Sequence, residues 1–322
     1  MILALDTSCY TTSLAVMDYE GRLIEDLRRP LAVKRGEKGL RQSDALYAHV
    51  QNLPPLVEEA FSRVPAKELT AIAVSSRPRP MEGSFMPVFT AGQGLARELA
   101  AALSLPLLQY SHQEGHLAAA LWSAGLGWQQ PFLALHLSGG TGEILKVTPL
   151  FPGEAAASEA DSAFGSPRYR IELVGDTDLP PGQFVDRIGV ALGFPFPAGP
   201  HLDKLALTAT DTEFRLSGSV KGTHISFSGP ESAAQRAISQ GLEPASIAAA
   251  VFANIGKSLA KAIKAARQLT GLEDVLLMGG VAASQNLRAA LEPAGIRFAL
   301  ARYSCDNAVG TSSLAAADMK QK

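Results

Sequence analysis

The sequence predicts an α/β protein built from two similar lobes, and three observations support this. Segments with strand-like and helix-like hydrophobic spacing alternate along the whole chain. A strand–turn–strand pattern near the N-terminus recurs 130 residues later (4 to 134). The chain has 322 residues, 47% of them hydrophobic, which is enough for two lobes that each bury a core.

The recurring pattern is an ungapped match between the two halves. Both copies read as two apolar strand residues, a serine in a turn, a threonine, and an apolar residue of the next strand. The positions are Ala4, Leu5, Ser8, Thr11 and Leu14, then Ala134, Leu135, Ser138, Thr141 and Ile144. A duplicated lobe with a ligand cleft between two such turns is the architecture of the actin, hexokinase and acetate kinase (ASKHA) type, which we expect here.

The individual elements follow from apolar spacing. Short apolar runs predict strands at 2–5, 13–16, 71–74, 105–108, 132–137, 143–147, 274–278 and 296–300. Apolar residues that recur every three or four positions predict helices at 45–61, 90–103, 247–263 and 284–291. The Gly- and Trp-containing segment 122–130 suggests a junction. We therefore expect one lobe at 1–115, to which a helix at 308–322 returns, and a second lobe at 130–307.

Composition narrows the functional class. The formal net charge of −2 argues against a generally basic, nucleic-acid-binding surface. No run of eighteen apolar residues predicts a membrane span, and the two cysteines, Cys9 and Cys305, fit a reduced cytoplasmic protein. One basic stretch predicts either a phosphate contact or, as the favoured interpretation, a solvated loop. It contains Arg28, Arg29, Lys34, Arg35, Lys38 and Arg41.

The segment from His112 to His116 carries the strongest chemical signal. It follows a predicted strand and precedes an Ala-rich helical stretch, so its two histidines lie one above the other on a helix face. Two imidazoles so placed can bind one metal ion, and the alternative is a capping or surface pair. Asp306, after a predicted strand, is either a third ligand or an ordinary turn residue. The order of residues differs from the metalloprotease H-E-x-x-H motif.

Glycine-rich turns supply the other candidates. Ser138-Gly139-Gly140 predicts either an anion-binding nest of backbone N–H groups or a plain hairpin turn. Gly279-Gly280 joins a strand to a helix for which Ser284 is a plausible N-cap, an arrangement that can bind phosphate or sugar. Asp186 is either an acceptor for ribose hydroxyls or half of a surface pair with Arg187.

Together and in order, these motifs resemble the TsaD (Gcp) family, the tRNA adenosine threonylcarbamoyltransferases. The family's D/E-T-S-C, H-x-E-G-H, S-G-G, S-F-S-G and D-N segments are matched at 6–9, 112–116, 138–140, 226–229 and 306–307. Its G-E-x-x-D-K, P-G-G-P and A-G-G-V segments are matched in part at 182–187, 197–200 and 278–281. The resemblance covers nearly the whole chain.

The resemblance implies a two-lobed ASKHA fold and a divalent metal ion, iron or zinc, held by His112, His116 and Asp306. It implies an adenylate or ATP-type nucleotide at one group of residues: Leu137, Ser138, Gly139, Gly140, Asp186, Gly199, Gly280 and Ser284. The family reaction passes threonylcarbamoyl from its adenylate to adenosine in tRNA. A TsaB-like paralogue or another accessory subunit is the expected protein partner, with no membrane involved. Asp6 and Glu114 are the candidates for a general base.

Several positions depart from the family pattern. Tyr10 and Thr11 stand where the family has acidic residues, and Thr141, Gln183, Arg187 and Ser284 replace a His, a Glu, a Lys and an Asn. The family's G-P-G loop is replaced by 76–80, whose Arg77 and Arg79 are either contacts for an anionic ligand or partner, or exposed loop residues. Two alternatives therefore stay open: a paralogue that scaffolds or regulates a standard family enzyme, and a carbamoyl-type transferase with another acceptor.

Overall fold

The structure is a computed structural model that describes residues 1–8, 10–32, 40–127, 130–150, 167–211 and 213–320. The chain divides into two compact units: Met1–Gly127, Pro149–Arg170 and Cys305–Lys322 form unit 1, and Trp128–Thr148 and Ile171–Ser304 form unit 2. The lobe boundaries expected from the sequence, 1–115 and 130–307, stay a prediction. Cys9 and the basic residues Lys34, Arg35 and Lys38 lie outside the described residues.

Unit 1 contains a five-stranded sheet with the order β3-β2-β1-β4-β5. Its strands are β1 (Ile2–Asp6), β2 (Thr11–Met17), β3 (Leu23–Pro30), β4 (Ala71–Arg77) and β5 (Leu107–Ser111). The first three strands form an antiparallel meander, and β4 and β5 continue from β1 in parallel. Every residue of β1 and β4 is buried, as expected for strands that are covered on both faces.

In the part of unit 1 that the structure describes, four α-helices accompany this sheet. They are α1 (Gln42–Arg63), α2 (Phe89–Leu103), α3 (His112–Ser123) and α9 (Val309–Lys320). The core joins strand residues such as Leu5 and Val74 to Leu53 and Leu56 of α1 and Ala96 of α2. Burial of these side chains at about 25 cal/mol per Å² holds the helices on the sheet.

Unit 2 repeats the same plan with the strand order β12-β11-β6-β7-β8. The strands are β6 (Phe132–Leu137), β7 (Gly142–Pro149), β8 (Tyr169–Asp176), β11 (Val275–Met278) and β12 (Arg297–Phe298). Here β6 and β7 are antiparallel, and β11 and β12 continue from β6 in parallel. A separate small ribbon is formed by β9 (Ser219–Lys221) and β10 (His224–Ser226).

The register of the two hairpins confirms the duplication predicted from the sequence. Leu5 pairs with Leu14 in unit 1, and Leu135 pairs with Ile144 in unit 2. These four residues are the positions that align at the 130-residue offset. Because a slip of one residue would turn every side chain to the other face of a sheet, equal registers mean that both units bury the same positions. The predicted two-lobed α/β fold is therefore confirmed.

The described residues of unit 2 also form five α-helices: α4 (Pro181–Ala191), α5 (Gly199–Ala206), α6 (Ser228–Ser239), α7 (Pro244–Thr270) and α8 (Gln285–Leu291). Among the described residues, α7 alone is long and apolar enough to cross a membrane by length and composition. However, 72% of that apolar stretch is buried within the protein. Its residues Ile247, Val251, Ile255 and Leu259 belong to the core of unit 2.

The apolar pattern locates the predicted elements but misses several others. Among the latter are β3, β8, the β9–β10 ribbon and the helices α4 to α6. The reason is visible in β3, whose sequence is Leu-Ile-Glu-Asp-Leu-Arg-Arg-Pro and which lies at the edge of its sheet. An edge strand with one covered face carries charged side chains and shows little hydrophobic signal. Similarly, α4 begins at Pro181, directly after Pro180, and these two prolines mask its apolar spacing.

Candidate functional site

The two histidines lie on the first turns of α3, and a capping box fixes where this helix begins. Ser111 is the N-cap, and its Oγ accepts a hydrogen bond from Glu114 N at 3.2 Å. In return, Glu114 Oε2 accepts from Ser111 N at 2.9 Å and from Ser111 Oγ at 2.7 Å. His112 is therefore the first residue of the helix, and His116 follows one turn later on the same face.

Asp306 completes this pair from the segment just before α9. Its Oδ1 lies 3.5 Å from His112 Nε2 and 3.3 Å from His116 Nε2. One donor atom from each of the three residues lies within 4.8 Å of the other two. In the part of the chain that the structure describes, no other three His, Cys, Asp or Glu residues meet in this way. The structure thus brings together all three metal ligands predicted from the sequence.

Asp6 holds His112 from the opposite side. The carboxylate is fully buried at the end of β1, and its Oδ2 lies 2.9 Å from His112 Nδ1. Its Oδ1 accepts hydrogen bonds from the backbone N–H and the hydroxyl of Ser8. A carboxylate on the second nitrogen of an imidazole fixes the orientation of the ring and is the usual companion of a metal-binding histidine.

The electrostatics of the cluster follow from these contacts. Burial acts to lower the pKa of His112, but the carboxylates of Asp6 and Asp306 raise it to about 10. Burial acts to raise the pKa of Asp306, yet hydrogen bonds from the two histidines bring it far below the usual range. Two imidazoles and one carboxylate are a donor set that suits zinc or iron. The residues therefore fit the metal ion that the family resemblance implies.

The contacts of Glu114 are those of a buried structural carboxylate. Besides its bonds to Ser111, its Oε1 accepts from the backbone N–H of Arg168 at 2.7 Å, and the side chain is 1% exposed. Arg168 NH1 lies 2.8 Å from Asp318 Oδ1, and Asp318 Oδ2 accepts from Tyr110 OH at 2.7 Å. Since Tyr110 and Ser111 are neighbours in sequence, these five residues close a polar ring within unit 1.

Apart from Glu114, the members of this polar ring could not be predicted from the sequence. Tyr110, Arg168 and Asp318 belong to three segments that are distant along the chain, and none lies in a recognisable motif. The ring connects the end of β5 and the first turn of α3 to the last turns of α9. Burial, followed by the nearby Asp318 carboxylate, raises the pKa of Tyr110 well above its ordinary value, so the phenol remains a hydrogen-bond donor.

In unit 2, the turn after β6 carries the predicted nucleotide-binding glycines. Ser138 Oγ accepts from Gly140 N at 3.2 Å and from Thr141 N at 3.0 Å, which closes the turn. Gly139 and Gly140 are exposed. Gly182 at the start of α4 packs directly on this turn: its N–H donates to Ser138 O at 3.0 Å, and a Cβ there would lie 2.6 Å from Gly139 N.

Asp186 links the same turn to the start of α5. Its Oδ1 accepts from Ala198 N at 2.8 Å and from Gly199 N at 3.1 Å. Its Oδ2 lies 4.0 Å from where a Cβ of Gly139 would stand. Burial raises the pKa of Asp186. The alternative of a surface pair with Arg187 is wrong, because Asp186 bonds to this loop and Arg187 donates to Gln183 instead.

Two further glycines, Gly279 and Gly280, directly follow strand β11. Gly279 has a φ of +92°, which is left-handed backbone that favours glycine, and a Cβ there would collide with Leu137 O. Gly280 follows in open space. The residues Leu137, Ser138, Gly139, Asp186 and Gly199 are thus gathered at one place in unit 2, and Gly279 brings Gly280 to the same strand end.

Ser284 has a different set of contacts from the one expected. It is the N-cap of α8, as predicted, because its Oγ accepts from Leu287 N at 3.1 Å. Its hydroxyl also donates to Asp203, a residue of α5 that the sequence did not single out. Asp203 accepts further bonds from Gln285 N at 2.9 Å and Asn286 N at 3.3 Å. A protein carboxylate therefore already bonds to the N–H groups at the start of α8.

The two arginines that replace the glycine loop differ from each other. Arg77 is the last residue of β4 and is 6% exposed, so the exposed-loop alternative is wrong for it. Arg79 is exposed, and its backbone N–H donates to Ser84 Oγ at 2.9 Å. The backbone between them is bonded to α3, because Gln113 N donates to Pro78 O at 3.0 Å.

Solved structures with the same overall fold are widely spread in function. The chain aligns over 99% of its length with HypF from T. kodakarensis, at a TM-score of 0.57 and 17% identity, and covers 48% of that chain. It also aligns over 99% of its length with the activator of 2-hydroxyisocaproyl-CoA dehydratase from Clostridium difficile with bound ADPNP. There the TM-score is 0.53 at 10% identity, and 96% of the activator is covered. These likenesses confirm the ASKHA fold.

Sequence comparison is more specific. A protein from Latilactobacillus sakei named tRNA N6-adenosine threonylcarbamoyltransferase is 32% identical over 314 residues, which cover 92% of this chain and 83% of that protein. One of the same name from Christiangramia forsetii is 29% identical over 309 residues, with 91% and 84% covered. The sequence model of the family TsaD, tRNA N6-adenosine threonylcarbamoyltransferase, matches residues 35–312. The chain therefore belongs to the TsaD family.

Proposed function

We propose that this protein is a metal-dependent transferase that passes a threonylcarbamoyl group from its adenylate to adenosine in tRNA. The observation that carries the proposal is the meeting of His112, His116 and Asp306 in a chain that belongs to the TsaD family. These ligands come from segments 190 residues apart (116 to 306), so their meeting is a property of the fold and not of one helix. Iron and zinc both suit the donor set.

In the proposed reaction, the amino group of adenosine forms a C–N bond to the carbamoyl carbon. The C–O bond to the AMP phosphate breaks, its electron pair leaves with AMP, and the amine proton is released to water. A bound metal supplies Lewis-acid stabilisation of negative charge on the donor. His112, His116 and Asp306 hold that ion, and Asp6 orients His112 through its Nδ1.

Unit 2 supplies the proposed nucleotide site. The exposed Gly139 and Gly140 would let an adenylate phosphate approach the main chain of the turn closely, because they carry no side chain. Asp186 keeps Oδ2 beside Gly139 while Oδ1 accepts two backbone bonds, so that one oxygen is positioned for a ribose hydroxyl. Gly199 and Gly280 border this place. We propose that Ser284 contributes through the position of α8, since its hydroxyl bonds to Asp203.

The two residues predicted as general bases take positioning roles in this proposal. Asp6 accepts bonds from Ser8 and faces His112, and Glu114 accepts bonds from Ser111 and Arg168. The hydrogen bonds that Asp6 accepts stabilise its ionised form, which makes this carboxylate a poor proton acceptor. The pKa of Asp6 is indeed lowered by His112 against the opposing effect of burial.

A second candidate function is that of a binding subunit that scaffolds or regulates a standard family enzyme. Tyr10 favours it, because this residue stands where the family has a carboxylate. Its backbone N–H lies 3.4 Å from Asp306 Oδ2, so the replacement is next to the metal ligands. A transferase with another acceptor is a third. For the threonylcarbamoyltransferase we propose a cytoplasmic protein with tRNA as its substrate and a TsaB-like paralogue as its partner.

The test is complementation of cells depleted of their own tRNA threonylcarbamoyltransferase, with the modified adenosine measured directly. We expect rescue by the wild-type chain and none by Asp306→Ala, with Asp44→Ala, at an exposed position of α1, as the control. The metal content of both purified variants shows whether the loss of rescue is accompanied by loss of the ion. A wild-type chain that binds metal and nucleotide but gives no rescue would refute the transferase proposal and favour the binding subunit.

A further inference from the structure

Two helices of unit 1 cross with their backbones in direct contact, and the contact is made by glycines. A Cβ on Gly310 of α9 would collide with Gly115 O of α3 and would lie 2.7 Å from Ala119 N. The obstacle is main chain, which no change of rotamer can move aside. Only glycine at position 310 therefore permits this separation of α3 and α9.

Beside this crossing, a pair of hydroxyls joins α9 to the strand β4. Ser75 Oγ of β4 and Thr311 Oγ1 of α9 are 2.9 Å apart, and both side chains are fully buried. A Cβ on Gly115 would lie 3.2 Å from Thr311 Oγ1, a tighter contact than side chains ordinarily make. The crossing is thus close at two successive residues of α9.

The two glycines of the crossing are close in sequence to the proposed metal ligands. Gly115 stands between His112 and His116 in sequence, and Gly310 follows Asp306 by four residues. The turn between Asp306 and α9 is held by Asn307, whose Oδ1 accepts from Val309 N at 2.9 Å and whose Nδ2 donates to Cys305 O at 2.7 Å. Because this turn joins Asp306 firmly to α9, the distance between the helices sets the distance between Asp306 and the histidines.

We infer that Gly310 is a positioning residue for the metal centre: it keeps α9 close enough to α3 for Asp306 to share one ion with His112 and His116. The inference rests on the proposed function, in which these three residues bind a metal. The observed 3.3 and 3.5 Å between Asp306 Oδ1 and the two Nε2 atoms leave little room for displacement. Metal–ligand bonds at such sites are about 2.0–2.2 Å long, so a shift of one helix by a fraction of an ångström breaks the set.

The experiment measures the affinity of full-length, metal-free protein for Co²⁺ by absorbance and for Zn²⁺ by competition, together with the unfolding midpoint. We expect Gly310→Ala to weaken binding by about 100-fold and Gly115→Ala by about 10-fold, within the range for residues that orient metal ligands. Gly256→Ala is the matched control, since a Cβ there would lie 2.7 Å from the Ala290 Cβ at a helix contact of unit 2.

A rescue variant separates positioning from simple destabilisation. Thr311→Ala removes the Oγ1 that a Cβ on Gly115 would approach, so the double variant Gly115→Ala, Thr311→Ala should regain most of the affinity lost in Gly115→Ala. This readout remains available should Gly310→Ala fail to fold. An affinity in Gly115→Ala or Gly310→Ala equal to that of Gly256→Ala overturns the inference and leaves the proposed metal site intact. A wild-type chain that binds neither ion overturns both.

Discussion

The two hairpin turns that follow β1 and β6 have equal registers but different chemistry. In unit 1, the strand ends in the buried Asp6, which bonds to Ser8 and His112. In unit 2, the corresponding turn contains the exposed Gly139 and Gly140 and is closed by the Ser138 hydroxyl. Two hairpins of equal register therefore end differently: one in a buried side-chain anion, the other in a glycine turn whose main chain is open to solvent.

Both turns are nevertheless supported in the same way, by a glycine of a neighbouring helix. In unit 1, Gly92 of α2 donates its N–H to Thr7 Oγ1 at 3.2 Å. In unit 2, Gly182 of α4 donates its N–H to Ser138 O at 3.0 Å. The support is therefore common to both units, while the chemical groups it supports are specific to each. Substitutions at the unit 1 turn should therefore weaken metal binding and leave nucleotide binding unchanged, and substitutions at the unit 2 turn should do the reverse.

The largest effect is expected from Asp6→Asn, which keeps the shape of the side chain but removes its charge. The amide orients His112 less firmly, so we expect metal affinity to fall by about 10- to 100-fold. Binding of AMP or ATP to unit 2 should change by less than twofold. Isothermal titration with each ligand measures both, and equal losses for metal and nucleotide would contradict the separation of roles between the two turns.

The pH dependence of stability in the same variant tests the ion pair between Asp6 and His112. The pKa of His112 is raised from 6.5 to about 10 by Asp6 and Asp306, against the effect of burial. A raised folded-state pKa contributes stability that is fully present below pH 6.5 and is lost as pH rises towards 10. Urea unfolding of metal-free protein should therefore show a smaller loss between these pH values in Asp6→Asn than in wild type. If the free energy of unfolding changed equally with pH in the variant and in the wild type, the ion pair would be contradicted.

A smaller effect is expected from Gly182→Ala. The new Cβ would lie 2.6 Å from Gly139 N and from the Ser138 carbonyl, so that the turn in unit 2 must shift. Crowding of this kind costs about 1–3 kcal/mol, and we expect nucleotide affinity to fall by about tenfold while Co²⁺ affinity stays unchanged. Gly94→Ala in α2, where a Cβ would meet nothing within 4 Å, is the control.

The smallest effect on ligands is expected from Tyr110→Phe, which opens the polar ring without touching either turn. The variant leaves Asp318 without the hydrogen bond from the phenol, and loss of such a bond costs about 1–3 kcal/mol of stability. Denaturant unfolding should record this loss, whereas metal and nucleotide affinities should change by less than threefold. A larger change in metal affinity would mean that the polar ring also holds α3, which carries His112 and His116, in place.

The sequence could predict the buried strands, the long core helix and the pair of hairpins, because each carries a strong apolar period. It could place Ser284 as an N-cap, since that role depends on local chain direction. It could not predict Asp203 as the residue that bonds to the start of α8, because 81 residues separate it from Ser284 and neither has a distinctive motif. Contacts of this kind are decided by packing between elements.

Only part of the candidate metal cluster could be predicted from local sequence, because the rest depends on contacts between elements. The spacing of His112 and His116 is a local property, and the family resemblance supplied Asp306. The roles of Asp6 and Glu114 could not be derived, because a carboxylate in a sequence does not show which donors it will meet. Once the donors are known, Asp6 faces a histidine and Glu114 caps a helix. The sequence also could not show that Arg77 is buried, because β4 continues beyond the apolar residues 71–74 that predict it.

The position of Asp306 after unit 2 in the chain has a consequence for how each molecule matures. During synthesis, both histidines leave the ribosome long before the carboxylate that joins them, and nearly all of unit 2 is made in between. Chains that stop before Cys305 contain the histidine pair without the segment that completes it. Under the proposed function, the ion meets its complete ligand set only after Asp306 has been synthesised, when most of each chain is already made.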